Sequence, residues 1–523
     1  MGLWNLYFIC KIALHLMGSI ALHPWLNLGL AALLLVRVPE SWRLPRQIVT
    51  IAAAVALLYD ESFLPPFRAL AGELGGLAGF SPAYLVELIA RIVEPRLVLW
   101  FCAVVAAYVL LTRWLRVSSF VLVALLVVPF LSLPHSRGMA TTADTAADPA
   151  ARTGSQFTRI DDGSRLTQAT DPAELDRAVA RFFAREEHKV LTFPQVTRDV
   201  DLILLQVCSL AWSDLNAIGQ QQHPLLDHFD VLFTNFNSAA SYSGPAAIRL
   251  LRGSCGQVRH DALYDPAGPE CQLMTRLHQA GFEPQVLMNH DGEFGNFAQD
   301  IALRGGIDVE PQPGGAARVA LQSFDGTPVT EDYATLHDWW RRRLSNRAPR
   351  VALYYNTVTL HDGNRQPGAA AGWIRSYPRR ARKLLDDLDR FIAELESSGA
   401  RAIVVVIPEH GAAYHATPGG IVGLRQVPGP NVTHVPVGVR LVGLPVQAAT
   451  RPLRIETSMS YLGLNQFLAN VMAAIEANPT TIDLRPLVAR LHITPFVAEH
   501  DGLMVVRAGD GYYTRGPDRR WSR

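Results

Sequence analysis

Charge in excess of either sign is what this sequence most plainly lacks. Its 523 residues carry 48 Lys and Arg against 47 Asp and Glu, a formal net charge of +1. That balance is too neutral for a nucleic-acid binder and excludes a nucleic-acid partner. Cysteine is scarce, with five in all, so each thiol has to be argued by its own position. There are no internal repeats and no glycine-rich nucleotide fingerprint; the scattered glycine pairs read as turns. The first apolar segment also lacks a small-residue cleavage site ahead of a polar mature region, so it reads as retained rather than as a removed signal peptide.

What the sequence does have is apolar surface, unevenly spread. Mean hydropathy is +0.12, and its source is the stretch from Met1 to Leu133. About five segments approach spanning length: Tyr7 to Leu22, Trp25 to Val38, Ile48 to Tyr59, Leu97 to Thr112 and Phe120 to Leu133. Arg37, Arg43 and Arg46 fall between the second and third, and Arg113 and Arg116 between the fourth and fifth. The positive-inside rule puts both loops in the cytoplasm. The mixed loop Asp60 to Glu94 then faces outward, with the N-terminus inside and everything after Pro134 outside. Residues 1–134 are therefore expected to be a transmembrane helical bundle, 135–195 a linker and connecting helix (polar from His135 to about Thr170, amphipathic from Ala173 to Lys189), and 196–523 an extracytoplasmic domain.

From about Val196 strands and helices alternate. Strands are expected at Val200–Val207, Val231–Phe236, Pro284–Met288, Val351–Asn356, Ala402–Ile407 and Val435–Val442. Helices are expected at Pro245–Leu251, Glu270–Ala280, Asp332–Ser345, Ser376–Ser398 and Met459–Ala474, and a terminal hairpin at Gly502–Arg515. Near-continuous apolar strands between helices indicate an α/β domain with a mostly parallel sheet covered on both faces. Sites in such sheets gather at the C-terminal ends of strands.

Four pieces fall at such ends. Tyr242-Ser243-Gly244-Pro245 places a hydroxyl at the mouth of a helix, where unpaired backbone N–H groups can meet a phosphoryl oxygen; an ordinary N-cap is the commoner role for such a serine. Cys208 closes the strand from Val200, and a buried thiol there is either inert packing or a metal ligand. Glu409-His410-Gly411 follows Ala402–Ile407 and can offer two ligands from one turn. His361 precedes Asp362-Gly363 and is either a loop histidine or a group that handles substrate. His290 and His415 are weaker candidates, and Arg425 could meet phosphate through its planar fork. A thiol with a Glu-His pair can hold zinc, and the metal can lower the pKa of a nearby hydroxyl. Cys10 and Cys102 belong to apolar segments and stay reduced, whereas an oxidising compartment permits a disulfide between Cys255 and Cys271.

With these residues in hand the chain resembles the BcsG family, the phosphoethanolamine transferases of bacterial cellulose synthesis systems. The resemblance covers nearly the whole length and is carried by Cys208-Ser209-Leu210-Ala211-Trp212-Ser213-Asp214, Asn235-Phe236-Asn237-Ser238 through Arg252, Leu360-His361-Asp362-Gly363-Asn364 and Pro408-Glu409-His410-Gly411. It implies five spans, a linker and a periplasmic alkaline phosphatase-like domain, the whole held in the inner membrane. It also implies Ser243 as nucleophile, zinc held by Cys208, Glu409 and His410 with Ser243 as the remaining ligand, and a Cys255–Cys271 disulfide. His361 and Arg425 would lie beside the transferred group, and Tyr242 is a further substrate-binding candidate. Lipid A phosphoethanolamine transferases, more distant relatives, use a threonine nucleophile, an acidic residue in place of Cys208, and Asp-His in place of Glu409-His410. The departure at all three positions argues against lipid A and toward cellulose as acceptor; the resemblance further implies phosphatidylethanolamine as donor and cellulose synthase subunits as partners. Transfer to lipid A, another glycan or water, and a non-catalytic scaffold of the synthase complex, are the alternatives.

Overall fold

The computed structural model describes residues 163–523 apart from 313–316, 369–371, 416–421, 448–451 and 478. Towards the N-terminus it describes residues 4–16, 20, 22–36, 38–62, 80–92, 105–110 and 117–131, with isolated residues 2, 103, 112 and 114. The chain divides into two compact units, 1–75 with 88–138, and 76–87 with 139–523.

In the first unit the apolar runs form helices at Trp4–Leu16, Pro24–Leu35, Glu40–Glu61 and Val117–Leu131. Phe8, Leu30, Ala31, Ala54, Val121 and Leu125 make their common core. Lys11 Nζ, buried among them, lies 2.5 Å from Glu61 Oε2 and donates to Asn27 Oδ1 at 2.7 Å, so each buried charge has a partner. Among the described residues no helix is long and apolar enough to cross a membrane. Half of the expected segment Leu97–Thr112 falls outside the described residues.

The second unit is built on a seven-stranded sheet in the order β3-β6-β1-β7-β8-β2-β9. Its strands are β1 (Asp201–Val207), β2 (Val231–Asn237), β3 (Glu283–Met288), β6 (Val351–Thr357), β7 (Ala402–Pro408), β8 (His434–Val442) and β9 (Leu453–Ile455); β4 (Val319–Gln322) and β5 (Pro328–Thr330) form a separate ribbon. Side chains of β1 divide by the period of the pleat, Leu202 and Leu204 into one apolar layer, Ile203, Leu205 and Val207 into the other. Both faces are covered, which is why the strand reads as an unbroken apolar run. The helix Trp373–Ser397 supplies much of the second layer, burying Ala381, Leu384, Leu385, Leu388, Phe391, Ile392 and Leu395 at helical spacing.

The sheet is mostly parallel, with one exception. β8, expected to run with the others, pairs antiparallel with both β7 and β2. A parallel return needs a crossover, usually a helix of a dozen or more residues. Between β7 and β8 the described residues hold only the short helix Pro430–Thr433, so the chain turns back at the same end of the sheet.

The tail makes more than a hairpin. β10 (Val497–His500), β11 (Leu503–Ala508), β12 (Gly511–Arg515) and β13 (Trp521–Ser522) form a four-stranded antiparallel sheet. The helix Pro172–Glu186, expected as a connector, packs on it. Asp171 caps this helix through Glu174 N–H, and Leu175, Val179, Phe182 and Phe183 meet Val497, Met504 and Val506. Its apolar stripe is wide enough to demand a partner, and the tail provides one. Cys255 and Cys271 are joined by a disulfide.

Leu388 is fully buried under the sheet. Leu388→Ala should therefore lower stability by ~2–5 kcal/mol, the usual cost of the lost contacts plus the cavity. Denaturant unfolding followed by tryptophan fluorescence reads this directly, and a loss below ~1 kcal/mol would mean the layer can collapse around the gap.

Candidate active site and metal centre

β1, β6 and β7 are parallel neighbours, so their C-terminal ends lie side by side, and β2 runs in the same sense. Cys208 follows β1, and its N–H donates to Thr357 O at the end of β6 (3.0 Å). Glu409 follows β7, and its N–H donates to Val207 O (2.8 Å). Ser243 opens the helix Ser243–Leu251 after the loop from β2. One atom each from Cys208, Glu409 and His410 lie within 4.8 Å of one another. Ser243 Oγ stands 3.4 Å from Cys208 Sγ and 3.3 Å from His410 Nε2. Cys208, Glu409 and His410 are completely buried, whereas Ser243 is half-buried.

Burial governs the electrostatics of these groups. Desolvation, with the Glu409 charge adding to it, pushes the Cys208 thiol up to about 12. Desolvation also raises Glu409, against hydrogen bonds from Ser243 and Asn356. His410 is driven well below its ordinary value by desolvation and then by the Arg425 charge. All three groups are thus pressed toward neutrality, the reverse of what a dication would do. Glu409 Oε2 is buried with no hydrogen-bond partner among the described residues. An orphaned carboxylate oxygen, a thiol and an imidazole aimed at one point suit a metal, and the mixed S, O, N set suits zinc better than magnesium.

The surrounding groups fix each donor. His410 Nδ1 contacts Gly411 O at 2.9 Å, so its proton sits there and Nε2 keeps a lone pair toward the cluster. Asn356 Nδ2 donates to Glu409 Oε1 (2.6 Å). The amide is oriented by His290, whose Nδ1 accepts from Gly292 N–H (3.1 Å) and whose Nε2–H donates to Asn356 Oδ1 (3.0 Å). Asp214 accepts from the N–H groups of Ala211, Ala412 and Tyr414 at 2.7–3.1 Å, tying the loop after β1 to the loop after β7. Desolvation pushes its carboxyl up to about 6 despite these donors. A Cβ on Gly411 would lie 2.7 Å from Ala211 Cβ and 2.9 Å from Asp214 Oδ2, so that junction needs glycine. Ser209, Ala239 and Ala413 take positive φ (63°, 57° and 50°) in the loops that carry the site. Such a conformation costs L-residues ~1–2 kcal/mol each. The Tyr377 hydroxyl, donating to Ser209 O at 2.7 Å, helps hold one of them.

Of the other sequence candidates, Arg425 Nη1 donates to Ser209 Oγ (2.9 Å) and its guanidinium lies 5.3 Å from the Tyr242 ring centre. Arg425 Nε is buried without a partner among the described residues. His361 Nδ1 contacts Asp362 O at 2.7 Å, leaving Nε2 free of that bond; desolvation and the Arg425 charge push its pKa down to about 4, so it is neutral near pH 7. His290 supports the cluster from behind through Asn356, and His415 is exposed beside Tyr414. Two neighbours escape the sequence reading. Asn356 could have been flagged as a buried polar residue closing an apolar strand. His500, stacked on Tyr242 at 4.3 Å, arrives from the distant tail sheet and leaves no local signal.

The profile described as "Cellulose biosynthesis protein BcsG C-terminal domain" matches residues 160–521, and its N-terminal counterpart matches residues 4–130. Cellulose biosynthesis protein BcsG of Salmonella typhimurium is 36% identical over 528 residues, covering 98% of this chain and 94% of that protein. The Escherichia coli protein of the same name is 35% identical over 527 residues, with the same coverages. Among solved structures, an alkaline phosphatase superfamily protein from Vibrio parahaemolyticus superposes with a TM-score of 0.46 at 12% identity, covering 68% of this chain and 88% of that one.

Asp214→Asn would turn an amide N–H₂ against backbone N–H donors. It should cost ~1–3 kcal/mol and loosen the junction between the two site loops. Thermal unfolding together with metal content checks it, and an unchanged melting temperature would mean those backbone donors find other acceptors.

Proposed function

This chain belongs to the BcsG family of cellulose biosynthesis proteins, a family of phosphoethanolamine transferases, and from that premise we propose that it moves phosphoethanolamine from phosphatidylethanolamine to the 6-hydroxyl of glucose units in cellulose. The observation that carries the reading is the half-open Ser243 hydroxyl at a helix mouth, within 3.4 Å of Cys208 Sγ and His410 Nε2. Zinc is the ion the donor set favours, held by Cys208, Glu409 and His410 with Ser243 Oγ as the remaining ligand. When bound, it supplies Lewis-acid charge that favours the ionised serine hydroxyl.

The rest is done by the chain's own groups. Ser243 Oγ attacks phosphorus, the bond from phosphorus to the glycerol oxygen breaks, and diacylglycerol leaves. His361, neutral with Nε2 unprotonated, takes the serine proton and gives it to the departing alkoxide. In the second displacement it takes the proton of the sugar 6-hydroxyl, whose oxygen attacks the phosphoserine, and returns it to Ser243 Oγ. Arg425 Nε and the N–H groups opening the Ser243 helix meet the phosphoryl oxygens. Tyr242, held by His500 and Arg425, borders the same space.

The apolar segments of residues 1–134 set the chain in the bacterial inner membrane with the catalytic unit in the periplasm, where a lipid donor and the emerging glucan are both at hand. The Cys255–Cys271 bond supports an oxidising compartment. So does the inclusion of residues 76–87, from the loop read as outward-facing, in the catalytic unit. Subunits of the cellulose synthase are the partners this role requires.

Ser243→Ala should abolish phosphoethanolamine on cellulose, read by mass spectrometry of the extracted polymer, with lipid A analysed in parallel. Modified lipid A with unmodified cellulose would overturn the acceptor, and an adduct trapped on a residue other than Ser243 would overturn the nucleophile. Metal uptake provides a readout independent of turnover. Because the Cys208 thiol is pushed up to about 12, it is protonated in the metal-free protein at pH 7–9 and must lose that proton to bind zinc. His410, already neutral there, has none to lose. Each zinc bound should release at least one proton, and affinity should rise by at least ~10-fold per pH unit over that range. Calorimetry in buffers of different ionisation enthalpy measures this; uptake without proton release would remove Cys208 from the ligand set.

A further inference from the structure

Phe80-Ser81-Pro82-Ala83-Tyr84-Leu85-Val86-Glu87 lies in sequence between the third and fourth apolar segments, yet residues 76–87 belong to the compact unit that holds the site. The segment is fastened at three points. Ser81 N–H donates to Phe324 O at 2.9 Å, while Ser81 O accepts from Tyr84 and Leu85 N–H to start the helix Pro82–Ile92. The rings of Phe80 and Tyr84 lie 5.6 and 6.0 Å from Phe324, and Phe80 stacks on Phe294 at 5.9 Å. Glu87 accepts from Trp373 N–H (2.9 Å) and pairs with Arg365 Nη2 (3.1 Å).

The ring cluster converges on His361, and Glu87 reaches the same loop through Trp373, whose Nε1–H donates to Leu360 O (3.5 Å), and through Arg365. Phe324, only 4% exposed, lies 4.4 Å from the His361 ring centre at a 30° tilt. Gly363, two residues on, has φ +79°, and a Cβ there would stand 2.6 Å from both Phe324 Cβ and Tyr84 Cε2. The loop carrying His361 is therefore pressed against this aromatic group as closely as glycine allows. The bond from His361 Nδ1 to Asp362 O sets which nitrogen is free, but the plane of the ring is set by what lies on its face. That face is Phe324, backed by Phe80, Tyr84 and Phe294.

We infer that Phe80, Tyr84 and Glu87 are positioning residues for His361, so that a loop of the N-terminal half completes the proton-transfer machinery of the catalytic unit. The inference rests on the role given to His361 above. Without Tyr84 the Phe324 ring has space behind it, and the imidazole loses its fixed plane while the metal ligands, held by other strands, stay in place.

The test uses the full chain in lipid, with phosphatidylethanolamine as donor, and introduces Tyr84→Ala and Glu87→Gln separately into the wild type and into His361→Ala. In the wild type each should lower kcat by about 10-fold with donor KM and metal content little changed, and in His361→Ala each should cost less than about 2-fold, since both act through the same ring. Tyr84→Phe, which keeps the ring, should restore most of the rate. Equal fractional losses in both backgrounds, or wild-type rates for both variants, would overturn the inference. If Tyr84→Ala fails to fold, as shown by loss of metal and of the thermal transition, Glu87→Gln decides by the same criterion. A wild-type rate for His361→Ala alone would sink the role of His361 itself, a result distinct from a lack of coupling.

Discussion

Removing a thiol, a carboxyl and an imidazole from water at one point is the constraint on which the rest of this site depends. Cys208, Glu409 and His410 have no access to solvent, and desolvating them in charged form would be prohibitive. Everything around them answers that cost in some way. Asn356 and Gly411 O each take up one of their hydrogen-bonding atoms. Arg425 brings a positive charge while fixed to Ser209. What remains uncompensated among the described residues, the carboxylate oxygen Glu409 Oε2, is what a bound cation would satisfy. The parallel sheet makes such a site affordable in conformational terms, because strands that are already rigid deliver their last residues to one edge.

Holding that edge together takes strain. Ser209, Ala239 and Ala413 occupy left-handed backbone conformations although none is glycine, and each lies a few residues from a donor. The interactions that over-determine them are mostly from elsewhere in the chain: Tyr377 from the long helix, Asp214 from the opposite loop, Val432 O on Gly411 N–H. The site is thus a property of the packed unit, with the loops alone unable to keep their shape.

Much of this was legible in the sequence because the information is local. An apolar run that stops at Cys208 or at Glu409-His410 marks both a buried strand and the end at which these groups meet, and Ser243-Gly244-Pro245 marks a helix mouth. The reversal of β8 was not legible, since strand direction depends on how the connection travels and apolar pattern is blind to it. The packing of Pro172–Glu186 on the tail sheet was hidden for a related reason: an amphipathic stripe announces that it needs a partner without saying which. His500 and Asn356 were missed because their relation to the site exists only after the sheet has formed. Residues 80–87 show the limit most clearly, since a loop read as a link between apolar segments supplies part of the wall behind His361.

The uneven burial of the four central groups has a consequence for the order of events in the life of the protein. Cys208, Glu409 and His410 are sealed inside, and Ser243 alone of the four is half-open. In the proposed reaction an ion held by these groups would have its open side at Ser243, and the group being transferred would stand there. Under the proposed role, metal would be acquired most readily while the chain is still folding, before the loops after β1 and β7 close, and during turnover the substrate itself would guard the ion. On that reading folding is the stage at which a scarce metal supply would limit the number of competent molecules, and later scarcity would be felt only slowly.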